Sequence, residues 1–158
     1  MHSINKPGPD NHYLAEHVEL LASSYLHWTG KDLLEYVRPC DNIYRALFEA
    51  PFGVVSHGTE VNPVFNYANQ TALNVFQMEW LEFTTLPSQK SAEPVNQAER
   101  QQLLARVSQY GFIDDYRGER ISSTGEHFMI EEATVWNIVD KKGTYYGQAA
   151  VFYQWSEL

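Results

Sequence analysis

Six histidines, one cysteine and a pair of adjacent aspartates are the side chains in this sequence best suited to ligating a metal, attacking a substrate or sharing a proton. Their spacing argues against each of these chemistries. His12 and His17 stand five apart and His17 and His27 ten apart, so no two share the i, i+4 face on which a helix presents paired ligands. No H-x-x-x-H or C-x-x-C occurs, and no metal is predicted. His57 closes one apolar extended run and His127 opens another, and each reads as a hydrogen-bonded structural histidine. Cys40 has no partner for an internal disulfide, so nothing implies an oxidising compartment. Asp114 and Asp115 are neighbours on an extended segment, where successive side chains point to opposite faces, which excludes a working carboxylate pair. No G-x-S-x-G, P-loop or glycine-rich dinucleotide turn is present, and no catalytic residue is assigned. The enzymatic alternative is a cone-shaped α+β fold of ketosteroid-isomerase type, with Tyr and Asp as acid and base, although it usually needs a different strand order.

Binding chemistry is better represented. Ten Tyr and four Trp raise the aromatic content to 14 per cent, which supplies rings for a core, an interface or a lined pocket. Charge narrows the partners: the net charge is −9 and the pI about 5.0, with no basic cluster, so direct nucleic-acid binding is not expected. No apolar run approaches the roughly 20 residues needed to span a bilayer. The N-terminus lacks a charged-then-apolar signal pattern, and the chain is expected to be cytoplasmic. Its 158 residues suffice for one domain with a real core.

The elements that must position these rings follow from periodicity. Residues 1–12, with Pro7, Gly8 and Pro9, read as a flexible lead. Residues 13–50 read as an N-terminal helical extension. Leu14, Val18, Leu21, Tyr25 and Trp28 recur at helical spacing up to Gly30, and shorter helices are expected over residues 31–37 and 42–49. From residue 51 the texture becomes extended, with a hairpin of strands at 52–57 and 64–68. Asn69 is a strong N-cap, and the spacing of Ala72, Leu73, Val75 and Phe76 predicts a helix over 70–77. A second helical piece follows at "EWLEFTTL", and a third is read from a capping box of Asn96 with Glu99 to a glycine C-cap at Gly111. The last third is strand-rich, near 112–116, 119–123, 128–139 and 144–155, and its tight turns at "STGE" and "DKKG" require antiparallel pairing.

This order of two strands, a run of helices and three strands is that of a PAS domain. "NYANQTALNVF" resembles the PAS strand-asparagine-helix segment, and "DKKGTYYGQAAVF" resembles the last PAS turn and strand. More specifically, "VVSHGTEVNPVFNYANQTALNVF", "LPSQKSAEPVNQAER", "RISSTGEHF" and "WNIVDKKGTYYGQAAVF" resemble the MEKHLA domain, a PAS-like family, and the likeness runs from about Leu14 to Phe152. That domain is the C-terminal module of plant class III homeodomain-leucine-zipper factors and also occurs as stand-alone bacterial and algal proteins. With no homeodomain or heptad zipper in the sequence, the stand-alone kind is expected. The resemblance implies sensing or regulated interaction, including dimerisation, and carries over no catalytic residues.

The implied fold is α+β: residues 51–158 form a five-stranded antiparallel sheet with helices over its concave face, preceded by the helical extension. A cavity can open between the helices and the sheet. Expected lining residues are Phe76, Trp80 and Phe83 from the covering helices, Tyr116 and Arg120 from the middle strands, and Trp136 and Gln148 from the last two. Residues 128–139 are apolar on both faces, so the sequence leaves open which parity faces inward. Such a cavity would take a small molecule that the sequence does not identify. Light-oxygen-voltage PAS domains carry a flavin-reactive cysteine on a covering helix, but none lies between Pro87 and Leu104, so no cysteine-flavin adduct is expected. The competing reading is a filled core with an exposed apolar strip on the leading helix, at Tyr25 and Trp28, used for homodimerisation.

Overall fold

The computed structural model describes residues 5–35 and 41–158. A 3-10 turn, Pro9–Leu14, leads into α1 (Ala15–Thr29), and α2 (Ile43–Phe48) precedes the hairpin of β1 (Gly53–His57) and β2 (Phe65–Ala68). Then come α3 (Gln70–Phe76), α4 (Trp80–Phe83), a short 3-10 turn Ser88–Ser91, and α5 (Pro94–Tyr110). The chain closes with β3 (Phe112–Ile121), β4 (His127–Val139), β5 (Tyr145–Phe152) and β6 (Gln154–Glu157). All strand pairs are antiparallel, in the order β2-β1-β5-β4-β3, and β6 continues past β5 along the first half of β4. This is the PAS-like α+β fold that the element order implies.

Asn69 makes the strand-to-helix corner. Its Oδ1 accepts from the Ala72 amide at 3.1 Å as an N-cap, and from the Val54 amide at 3.0 Å. Its Nδ2 donates to the carbonyls of Leu47 at 3.1 Å and Phe52 at 2.7 Å. With no exposed surface, this one amide satisfies the start of α3, the entry of β1 and the end of α2.

The two faces of the sheet alternate along β4. Trp136 points to the face crossed by α1, where its ring tilts on Tyr25 at 4.8 Å and its Nε1–H donates to Ser24 Oγ at 3.3 Å. Trp28 Nε1–H donates to the Asn137 carbonyl at 2.9 Å, and the Trp28 ring lies over Gly111, where a Cβ would come within 2.4 Å of it. The buried stripe Val18, Leu21, Tyr25 therefore packs α1 on its own sheet. Tyr25 and Trp28 do not form an exposed strip. Val135 and Ala133, of the opposite parity, face the other helices and the cavity.

Several boundaries differ from the sequence expectations. Residues 31–35 are a turn, not a helix, and residues 36–40, with Cys40, lie outside the described residues. Residues 9–12 belong to a 3-10 turn, and Lys6 lies over the Phe48 ring, so this part of the lead packs on the domain. The N-cap of α5 lies three residues before Asn96, at an extended Glu93 with Pro94 opening the helix, because proline is preorganised there and lacks only an amide that would have no helical partner. Asn96 and Glu99 thus lie inside the helix and form no capping box. Strand β3 is continuous, and its register shifts between Ile113 and Tyr116, leaving Asp114 and Asp115 both exposed.

Asn69→Ala removes the cap and orphans two buried carbonyls and two amides, and is expected to cost about 3–5 kcal/mol in urea unfolding. A second prediction concerns His17, whose Nε2 pairs with Ser56 Oγ at 2.9 Å beneath α1. Burial lowers its pKa from 6.5 to about 4. Between those values the unfolded chain binds a proton that the folded one refuses, so this contribution is complete above pH 6.5, is lost as pH falls towards 4, and is flat below. His17→Gln is expected to remove about 2 kcal/mol of the loss between pH 7 and 4, read from unfolding curves across that range.

Candidate functional site

Between the sheet and the helices on its concave face lies a cavity of about 70 Å³. Its apolar wall includes Val55, Phe65, Phe76, Ile130, Val135 and Phe152, and its polar groups are His57, Ser91, Arg100, Tyr116, Arg120 and Gln148. Each strand side chain arrives by alternation. The cross-strand registers His57↔Gln148 and Gln148↔Asn137 align three polar residues on the face towards α5. Asn137 Nδ2 and Gln148 Nε2 are used structurally, the first donating to the Val107 carbonyl at 3.0 Å and the second to Asn137 Oδ1 at 3.2 Å.

Of the residues expected to line a pocket, the structure brings Phe76, Tyr116, Arg120 and Gln148 to this cavity. Trp80, Phe83 and Trp136 are placed elsewhere. Phe83 stacks on Phe65 at 4.1 Å behind the wall, Trp80 meets Tyr67 edge-on at 6.1 Å, and Trp136 has the opposite strand parity. Sequence reasoning missed Arg100 and His57 as lining residues. A signal for Arg100 existed, since it stands three, four and seven residues before Leu103, Leu104 and Val107, at the head of the apolar stripe of α5.

The polar lining is unusual in its charges. Arg100 and Arg120 are both buried, and neither forms an ion pair with a carboxylate among the described residues. Arg100 donates to Ser88 Oγ at 2.7 Å, and Arg120 donates to the Glu119 carbonyl at 2.7 Å and lies over the Tyr116 ring at 5.2 Å. Gly118 makes room for this stack, because a Cβ there would stand 2.9 Å from the Arg120 guanidinium and 3.0 Å from the Tyr116 hydroxyl. Burial lowers the Arg100 pKa to about 10, and burial together with repulsion from Arg100 lowers that of Arg120 to about 9, so both stay cationic near neutral pH.

His57 fixes the cavity floor. Its Nδ1–H donates to the Gly58 carbonyl at 3.1 Å, which leaves Nε2 as an acceptor, buried and without a hydrogen-bond partner. Burial, more than any other cause, lowers its pKa; the Gln148 side chain beside it favours the charged ring without meeting Nε2 at bonding geometry. An outer groove between α5 and the β1–β2 loop shares His57, Arg100, Leu104 and Gln148 with the cavity, so these four side chains separate the hollow from solvent. Among the described residues no three His, Cys, Asp or Glu side chains gather to hold a metal ion, and no described helix is long and apolar enough to cross a membrane.

The PAS-like sheet and its covering helices agree with comparison to known proteins. The family model of the MEKHLA domain matches residues 15–157. The chain belongs to the MEKHLA family. It is 26% identical over 144 residues to the homeobox-leucine zipper protein ATHB-9 of Arabidopsis thaliana, covering 88% of this chain and 17% of that protein. REVOLUTA from the same plant is 22% identical over 120 residues, 75% of this chain and 14% of the relative. This MEKHLA chain thus spans under a fifth of the length of these relatives. Among solved structures, the PAS domain of a protein from Colwellia psychrerythraea superposes with a TM-score of 0.60 at 11% identity, over 70% of this chain and 91% of that one. A light-oxygen-voltage domain studied with a flavin analogue gives 0.59 at 13% identity, over 79% and 87% of the two chains.

Gly147, with φ +127°, lies where a Cβ would stand 1.9 Å from the His57 carbonyl oxygen. Gly147→Ala is expected to lower stability by about 2–3 kcal/mol and to shift the His57 ring resonances, measured by unfolding and histidine NMR.

Proposed function

We propose that this MEKHLA domain is a regulatory module whose signal is occupancy of the central cavity by a small molecule. The observation that supports this reading is a hollow lined by a residue with an unsatisfied polar atom, His57 Nε2. Interiors normally approach crystal density, and buried polar atoms normally find partners. Here His57 Nε2 has none, and His57 lines a hollow with room for several water molecules at roughly 10–15 Å³ each.

The covering helix provides the readout. Helix α5 runs for 17 residues yet buries only Arg100 and Val107 completely, and its Leu103 and Leu104 are half-buried. An element with so few buried apolar contacts belongs to the low-stability end of a domain, where a ligand with different affinity for two arrangements shifts their populations. Regulated homodimerisation is the output suggested by the plant relatives' family. Because Tyr25 and Trp28 are engaged with the domain's own sheet, such a dimer would use another surface.

Native mass spectrometry of freshly purified protein tests the proposal and reports oligomeric state in the same spectrum. The wild type is expected to carry an extra small mass that is lost on denaturation. Ala133→Leu, which fills the hollow from β4, is expected to fly at its bare mass. A bare wild type, together with an Ala133→Leu variant more stable than the wild type, would mark the hollow as an idle packing void and overturn the reading.

A further inference from the structure

We infer that the cavity binds a small carboxylate bearing a hydroxyl group, with its carboxylate between the Arg100 and Arg120 guanidiniums and its hydroxyl donating to His57 Nε2. This rests on the reading of the cavity as a ligand site and names the class of ligand.

The first observation is uncompensated positive charge. The sequence holds 20 acidic and only 11 basic residues, yet two of its arginines are each only 7% exposed and line one cavity. Burying a guanidinium without an anion is costly, and burying two beside each other adds repulsion. The repulsion is evident in Arg120, whose pKa is lowered first by burial and then by Arg100, with only a smaller opposing effect from Glu99. Their protein partners are neutral oxygens, the Ser88 hydroxyl and the Glu119 carbonyl, which leave most of the ten guanidinium N–H donors of the pair unused. A planar oxyanion matches that donor geometry and supplies the missing charge.

The second observation is independent of charge. His57 is 8% exposed, its Nδ1–H is committed to Gly58, and its Nε2 lone pair is unpartnered. Two guanidiniums have no acceptor to offer, so a ligand that is only an acceptor leaves Nε2 orphaned. A hydroxyl on the same small molecule satisfies it. The third is size. At about 70 Å³ the hollow is far below the roughly 300–1,000 Å³ of a drug-sized pocket, which in this arrangement restricts the occupant to a handful of heavy atoms. The apolar wall of Phe76, Ile130, Val135 and Phe152 accommodates a short carbon chain. The outer groove, which Arg100 also lines, offers an incoming anion an approach to the cavity.

The test titrates wild-type protein with sodium lactate, neutral lactamide and inorganic phosphate, followed by calorimetry and thermal unfolding. Lactate is expected to raise Tm at millimolar concentration, lactamide to bind at least tenfold more weakly, and phosphate to compete poorly because it leaves the apolar wall unfilled. Arg120→Met is expected to weaken lactate at least tenfold while unfolding no earlier than wild type without ligand. A merely structural arginine would instead lower that apo stability. The lactate and lactamide comparison uses wild-type protein alone and stands whether or not the variant folds. Equal binding of lactate and lactamide overturns the anion inference, and a response to phosphate without lactate overturns the carboxylate assignment. No response to any probe, with a molecule still retained in the native mass spectrum, overturns this inference and leaves the cavity reading intact. A bare native mass, no response to any probe and an Ala133→Leu variant more stable than the wild type together remove both.

Discussion

A single buried amide carries the geometry of this domain. Asn69 has two acceptor lone pairs and two donor hydrogens, and all four are used, by Ala72, Val54, Leu47 and Phe52. These partners come from three separate elements and would otherwise leave backbone groups unpaired in an apolar setting. Aspartate could accept but not donate, serine could not reach both sides, and an apolar residue would satisfy none. The corner therefore fixes where β1 starts, where α2 ends and in which direction α3 leaves the sheet. Phe76, at the far end of α3, is aimed by it, and packs edge-on against Phe128 at 5.1 Å and tilted on Phe83 at 5.5 Å.

From that direction follows a division of labour between the faces of the sheet. The face towards α1 is filled by the largest side chain available, Trp136, with no exposed area and with its one polar atom bonded to Ser24. Across the sheet, the parity facing the cavity sets the small or polar Ala133, Asn137, Gln148 and Ala150 beside Val135 and Phe152. A helix packed over such positions cannot close on them with aliphatic side chains alone. Two arginines, Arg100 from α5 and Arg120 from β3, line the hollow, long side chains whose stems can cover apolar surface. The cavity is thus a consequence of side-chain size on one strand parity, and its polarity is a consequence of which long side chains were left to fill it.

The coupling between cavity and surface is short. Gln148 Nε2 reaches the α5 backbone at Leu104 and the Ser108 hydroxyl at 3.4 and 3.3 Å, both near the long end of hydrogen bonding. The same four residues that wall the hollow from the groove include Arg100, whose partner Ser88 sits in the turn before α5. A change in what Arg100 meets inside therefore bears directly on how α5 is held, with no relay through the rest of the core. Two ends of the fold stay outside this device: α1 is pinned on the opposite face by Trp28 and Ser24, and the β3–β4 hairpin is tied to the end of α3 by Ser123 N–H donating to the Phe76 carbonyl at 3.0 Å.

The sequence by itself determined the elements whose cause is local. The cap at Asn69, the glycine ends of α1 and α5, the hairpin, the antiparallel meander and the family likeness all rest on residue types at fixed short spacing, and hydrogen-bond chemistry within one turn settles them. It also placed Phe76, Tyr116, Arg120 and Gln148 near one another, because strand alternation and helix periodicity survive in the pattern. Only the tertiary structure decided the rest. Strand β4 is apolar on both faces, so nothing local told Trp136 to turn to α1, and the alternation became readable only once its partners were known. Tyr25 and Trp28 were apolar in the sequence in the same way whether they met another molecule or their own sheet. Arg100 looked like a solvated charge in a polar helix until the packing of α5 brought it to the same cavity as Arg120. Exposure and electrostatic neighbourhood are properties of what packs against a residue, and a linear pattern of residue types does not contain them.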